Sequence, residues 1–315
     1  MIRVENLSKD YGRFRALNGI SFDVRDGEIL GFLGPNGAGK STTLKIMTTY
    51  LAPTEGNVHV DDLNVLDHAM DVKNRIGYLP ELNPLYLEMN VFDFLRFVAG
   101  ARGFEGKNFR NRLSEVIELC GLKGVMHKDI RELSKGYKQR VGLAQAIFHD
   151  PDILILDEPT TGLDPNQIVE IRQLIKNLGK AKTVIISSHI LQEIQATAHR
   201  MIIINKGSIV ANGTIDELMA DFKGRTRIQL ELKNAAEESI RRITSISDVL
   251  SLEELSARNG STSVALEFPN SVDLRQPIFE YAVSEKWTLL EMSRHKASLE
   301  DVFRNLTVEG VQHAV

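Results

Sequence analysis

An α/β domain followed by a smaller α+β domain is what this sequence predicts, and three features carry the prediction. Short β-branched runs alternate with amphipathic stretches from the N-terminus to about Gly213, the pattern of a sheet covered by helices. Between residues 91 and 124 the strand signal vanishes. There Phe109, Leu113, Val116, Ile117 and Cys120 recur at helical spacing on one face, which predicts a helical insertion, set at residues 82–145. At residues 221–225 charged side chains and Gly224 interrupt the periodicity, as a domain junction does, so the first domain is placed at 1–222 and the second at 223–315.

In the second domain Ile228, Leu230 and Leu232 alternate as a strand, residues 235–245 read as a helix, a strand lies near 249–255, and Val264, Leu266 and Phe268 alternate again. Residues 273–284 then read as helical and 288–292 as extended, and Leu299, Val302, Phe303 and Leu306 line one face of a last helix. The order is β-α-β-β-α-β plus a helix, a split-βαβ or ferredoxin-like arrangement.

Composition narrows the function. Of 315 residues 25% are charged and 43% hydrophobic, with a net charge of −4, as in ordinary soluble proteins. No global basic field exists to collect nucleic acid, so no such partner is expected. The single cysteine, Cys120, falls on an apolar helix face and reads as a buried core thiol in a reducing compartment. The most apolar stretches, residues 153–156, 183–186 and 201–204, are far shorter than the roughly 20 residues of a membrane helix. The N-terminal residues lack the cationic segment and apolar run of a signal peptide. A cytoplasmic protein is expected, with any membrane work falling to another chain.

The chemistry lies in two motifs. Gly34, Pro35, Asn36, Gly37, Ala38, Gly39, Lys40 and Ser41 fit G-x-x-x-x-G-K-[ST], directly after an apolar run and, with Thr42 following, at the start of a plausible helix. Glycines let the backbone wrap phosphate, and the helix N-terminus adds partial positive charge. Lys40 is expected to reach the β- and γ-phosphates and Ser41 to ligate Mg2+, so ATP or GTP binding follows. Downstream, an apolar run at residues 153–156 reads as a buried parallel strand ending in Asp157 and Glu158, where open α/β sheets bind ligands. Asp157 is expected to hold Mg2+, and Glu158 to polarise the attacking water as general base.

Between these motifs stand Leu133, Ser134, Lys135, Gly136, Tyr137, Lys138, Gln139 and Arg140, and here the sequence resembles the ATP-binding-cassette (ABC) ATPases, whose signature is written LSGGQ. Lys135 replaces a glycine and Tyr137 a glutamine. The resemblance spans residues 2–218. It implies a P-loop ABC ATPase core that hydrolyses ATP with Mg2+, and Ser134 and Gly136 that contact nucleotide held by a second such subunit. It further implies that Tyr11 is the platform for adenine, that Asp164 belongs to the loop crossing the dimer, and that His189 is the switch histidine. Glu81 stands where the family has a glutamine that contacts Mg2+ and water.

Residues 78–86 and the tail Ser298, Leu299, Glu300, Asp301, Val302 and Phe303 resemble the ABC-2 exporter branch, especially the gliding-motility-associated ATPases. That resemblance implies transmembrane permease subunits as partners, docked on residues 81–101. It also implies a peripheral place at the inner face of the membrane and a pair of nucleotide-binding subunits, homodimeric or heterodimeric. Two rivals stand beside it. One is a soluble ABC ATPase acting on ribosomes or DNA, though neither a second cassette nor a long coiled coil is in the sequence. The other is a non-hydrolytic regulatory scaffold, for which Glu81 and Lys135 speak.

Overall fold

The computed structural model describes residues 1–222, 225–258, 261–269, 272–296 and 299–308. Gly224, at the expected junction, and Ser298, in the tail, lie outside the described residues. The chain forms two compact units: Met1–Thr214, to which it returns at Leu306, and Ile215–Asn305. The division precedes the charged stretch at 221–225, because the helix Ile215–Phe222, with Leu218 buried, belongs to the second unit.

Two sheets build the first unit. Strands β1 (Ile2–Tyr11), β2 (Phe14–Val24), β4 (Glu55–Val60) and β5 (Leu63–Asn64) pair antiparallel in the order β2-β1-β4-β5. The other sheet has the order β10-β9-β3-β8-β7-β6. It contains β3 (Ile29–Leu33), β6 (Ile76–Leu79), β7 (Ile153–Leu156), β8 (Thr183–Ser188), β9 (Arg200–Asn205) and β10 (Ser208–Thr214), all parallel except β10. Every residue of β3, β7 and β8 is buried, as expected of parallel strands covered on both faces.

Helix α1 (Lys40–Met47) joins the two sheets: its Leu44, Ile46 and Met47 share one buried cluster with Val4, Leu17 and Phe22 and with Phe32, Ile155, Ile185 and Ile202. Each such side chain contributes roughly 1.5–3 kcal/mol by leaving water. Helix α2 (Ala69–Arg75) leads into β6.

Parallel register brings the strand ends together. Leu33 pairs with Ser188 and Leu156 with Ile186, so the loops leaving β3, β7 and β8 start at one edge of the sheet.

The helical insertion consists of α3 (Val91–Ala101), α4 (Gly106–Cys120) and α5 (Lys135–Ile147). Asn90 caps α3, accepting from the Asp93 amide at 2.9 Å and donating to the Asp93 carboxylate at 2.7 Å. On α4, Leu113, Val116 and Cys120 are buried and Phe109 and Ile117 half-buried, the face expected from their spacing. Burial pushes the Cys120 thiol up to about 12, which makes it an inert core group. Helices α6 (Pro165–Gly179) and α7 (Leu191–Gln195) flank β8.

In the second unit, α8 (Ile215–Phe222) precedes β11 (Arg225–Lys233), α9 (Glu237–Arg242), β12 (Ser251–Arg258), β13 (Ser261–Pro269), α10 (Arg275–Ser284) and β14 (Thr288–Lys296), and α11 (Leu299–Val308) begins in it and ends past its boundary at Asn305. The antiparallel sheet has the order β12-β13-β11-β14, the split-βαβ topology. Ile228, Leu230, Val264, Leu266, Phe268 and Trp287 fill its core, and the Trp287 indole donates to Ser239 Oγ at 3.2 Å.

Candidate functional site

The loop from β3 to α1 turns on glycines. Gly37 and Gly39 have φ of +79° and +111°, and a Cβ on Gly39 would come within 2.7 Å of the Leu17 side chain and 2.9 Å of the Ala16 carbonyl. Gly39 is also the N-cap of α1 and brings no side chain to cap it. The bond from Thr43 N to Gly39 O, 3.0 Å, begins the helical ladder, so the amides of Lys40 and Ser41 in the first turn have no intrahelical acceptor. Ammonium and carboxylate meet beside them. Lys40 Nζ donates to Gly34 O at 2.8 Å and lies 3.3 Å from Glu158 Oε1, with both side chains 6% exposed.

Residues from the ends of β7 and β8 complete the site. Asp157, at the end of β7, accepts on Oδ1 from Ser41 Oγ at 3.1 Å and from Ser187 Oγ at 2.6 Å. Glu158 has φ of +48°, a left-handed conformation uncommon for a carboxylic side chain, and its amide donates to Ser187 Oγ at 2.8 Å. Its Oε2 accepts from Thr161 Oγ1 at 3.1 Å and lies 2.9 Å from His189 Nδ1. Its Oε1 is buried and has no hydrogen-bond partner among the described residues. The loops are tied together behind the site: Glu193 Oε2 accepts from Thr160 Oγ1 at 2.7 Å and Ser188 Oγ at 2.8 Å.

A cavity of about 370 Å³ opens here, lined among others by Tyr11, Asn36, Gly37, Gly39, Lys40, Ser41, Thr42, Glu81, Glu158 and His189, all expected from the sequence. Gly34, Ala38 and Asp157 stand behind this lining, in the loop and at the strand end. Phe14, Ala16 and Thr161 also line it, and the motifs do not point to them. Phe14 pairs with Tyr11 across the turn between β1 and β2, so two exposed rings stand at the mouth.

Ser134, Gly136 and Asp164 do not line the cavity; the structure gives them packing and capping roles. Ser134 caps α5, accepting from the Tyr137 amide at 3.4 Å, and Asp164 caps α6, accepting from the Asn166 and Gln167 amides at 3.1 and 3.0 Å. Gly136 is buried where a Cβ would meet Gln167 Oε1 at 2.5 Å, so any larger residue would displace that side chain.

Comparison with known proteins decides the family. A model described as "ABC transporter" matches residues 17–161, and an AAA domain model matches residues 129–194. The chain is 31% identical over 308 residues to the linearmycin resistance ATP-binding protein LnrL of Bacillus subtilis, covering 98% of each chain. The chain belongs to the ABC transporter ATP-binding proteins. This cassette is also 36% identical over 238 residues to the bacitracin transport ATP-binding protein BcrA of Bacillus licheniformis, covering 75% of this chain and 77% of that one.

Among solved structures, the dimeric ABC transporter cassette MJ0796 superposes with a TM-score of 0.63 at 26% identity, over 68% of this chain and 99% of that one. A post-hydrolysis dimer of MJ0796 bound to ADP and Pi gives the same values. The cassette is thus an ATPase of the P-loop class, and among its described residues no helix is long and apolar enough to cross a membrane.

Proposed function

We propose that this cassette is the ATP-hydrolysing subunit of an ABC-2 type exporter, akin to the gliding-motility-associated ATPases, working as a dimer that encloses two MgATP and drives separate transmembrane permease subunits. One observation carries the reading. Lys40, Ser41, Glu158 and His189 share one cavity while Ser134 and Gly136 of the same chain stay off it, which leaves one wall to a facing copy. Relatives named for linearmycin resistance and bacitracin transport favour export.

The residues fit a triphosphate. The amides of the loop from Asn36 to Gly39, the first turn of α1 with Thr42, and Lys40 make an anion cradle, and the exposed face of Tyr11 offers a platform for the base. They also fit Mg2+. No group of three or more His, Cys, Asp or Glu able to hold a metal lies among the described residues, but Mg2+ takes most of its oxygens from phosphate and water. Ser41, Asp157 and Glu81 supply the rest, and the ion, when bound, would neutralise charge developing on the phosphates. Glu158 then orients and deprotonates the attacking water, His189 donates to that water or to the γ-phosphate, and Ser134, Gly136 and Asp164 face the nucleotide of the opposite copy.

Docking of a permease helix on the helical insertion has its own support. A second cavity, also about 370 Å³, is lined by Tyr50, Tyr78, Phe97, Arg102, Gln145 and His149. Tyr78 Oη, Gln145 Oε1 and His149 Nδ1 are buried without hydrogen-bond partners among the described residues. Burial holds His149 down at about 4, so it is neutral, and its Nε2 donates to Ile76 O at 3.1 Å, which leaves Nδ1 an acceptor. Such groups call for a polar-tipped helix.

The reading is tested by dimerisation. With ATP, the Glu158→Gln variant is expected to sediment as a dimer; only monomer at high protein and ATP would count against it. Replacing Glu81 by Gln is expected to retain or raise steady-state ATPase activity, because the amide removes a negative charge beside the phosphates and restores a donor. Complete loss would show that the acid has its own job.

A further inference from the structure

We infer that Ser187 is a positioning residue for the hydrolytic reaction, setting both acids at once through a single hydroxyl. The inference rests on the reading of Asp157 and Glu158 given above and concerns a residue that neither motif contains. Ser187 is fully buried near the end of β8, one position past the last ladder pair between β7 and β8, Leu156 with Ile186. The parallel register therefore sets it beside Asp157.

A serine hydroxyl has one hydrogen to give and two lone pairs. Ser187 gives the hydrogen to Asp157 Oδ1 at 2.6 Å and accepts the Glu158 amide at 2.8 Å. The first bond holds the same carboxylate oxygen that Ser41 Oγ reaches at 3.1 Å. The second gives the Glu158 amide an acceptor in place of a strand ladder partner, which supports the left-handed turn at φ +48°. That turn aims the carboxylate at Lys40, 3.3 Å away, and His189, 2.9 Å away. Ser187 lines no part of the cavity, so it acts through the two acids and not on the nucleotide.

Removing the hydroxyl leaves the Asp157 carboxylate able to rotate and the Glu158 amide unsatisfied. Misplacement by about 1 Å costs on the order of 10²-fold in rate. The Ser187→Ala variant is therefore expected to lose about 10- to 100-fold in kcat. Its affinity for ATP without Mg2+ should match the unaltered protein, while the gain in affinity on adding Mg2+ shrinks. Ser187→Cys, close in volume but a weak donor, should behave like Ala; Ser187→Thr, which keeps the hydroxyl on a β-branched frame suited to the strand, should restore the metal-dependent gain and most of kcat.

The measurements are equilibrium binding of a fluorescent ATP analogue with and without Mg2+, steady-state phosphate release, and thermal midpoints. An Ala variant with unaltered kcat and metal-dependent gain would overturn the inference. So would Ala, Cys and Thr variants impaired alike in proportion to their thermal midpoints, which marks a packing role only. Absence of any metal-dependent gain in the unaltered protein would instead sink the parent reading of the acids.

Discussion

Replacing Glu158 by Gln is expected to lower ATP turnover by about 10²- to 10⁴-fold, the usual size of a general-base contribution. The substitution keeps the shape of a side chain that is 6% exposed and held by Thr161 at 3.1 Å. What it removes is the basic oxygen, since an amide cannot take a proton from water at neutral pH. Affinity should hold, because in the proposed site the loop amides and Lys40 hold the phosphates and Glu158 does not. Glu158 lies 3.3 Å from Lys40, so neutralising it releases the ammonium for phosphate. ATP affinity is expected to stay within about threefold, under roughly 1 kcal/mol, or to tighten. Phosphate release and equilibrium binding on the same preparation check both halves, and near-normal turnover would remove Glu158 from the role.

Much of this site is legible in the chain because its parts are local. A glycine spacing that demands positive φ at Gly37 and Gly39 can be read without knowing any neighbour, and so can a wholly apolar run ending in two acids. The strands β3, β7 and β8 show as continuous apolar runs because both their faces are covered.

Ser187 is different. Its meaning comes from lying beside β7, and a serine at a strand end looks alike whether it faces an acid or solvent. Phe14 was missed although a signal existed: Tyr11 and Phe14 flank the two residues Gly12 and Arg13, and a two-residue turn makes them cross-strand partners. Asp164 before Pro165 carries the residue types of a helix N-cap and first helical position, a local reading that accounts for its observed bonds. The unit boundary was illegible for another reason. The residues at 215–222 read as helix in either unit, and only their packing assigns them to the second.

Replacing Lys40 by Ala is expected to weaken ATP binding by about 30- to 1000-fold, or about 2–4 kcal/mol, the loss on deleting one partner of a desolvated charge contact. A second effect is on stability. Lys40 is a cation facing the buried Glu158 Oε1, which has no hydrogen-bond partner among the described residues, so its loss leaves a carboxylate oxygen uncompensated and should lower stability by about 1–3 kcal/mol. The two effects separate in a double variant. Adding Glu158→Gln to Lys40→Ala removes the stranded charge and should return the thermal midpoint toward that of the unaltered protein, while ATP affinity stays low.

Lys40→Arg should not rescue affinity. A planar guanidinium with five donors does not fit where a compact ammonium lies 2.8 Å from Gly34 O inside the loop. Thermal midpoints and equilibrium binding on the two single variants and the double variant provide the test. If the double variant recovers affinity along with stability, Lys40 serves to neutralise Glu158 and not to hold phosphate, and the anion cradle must be assigned to the backbone amides alone.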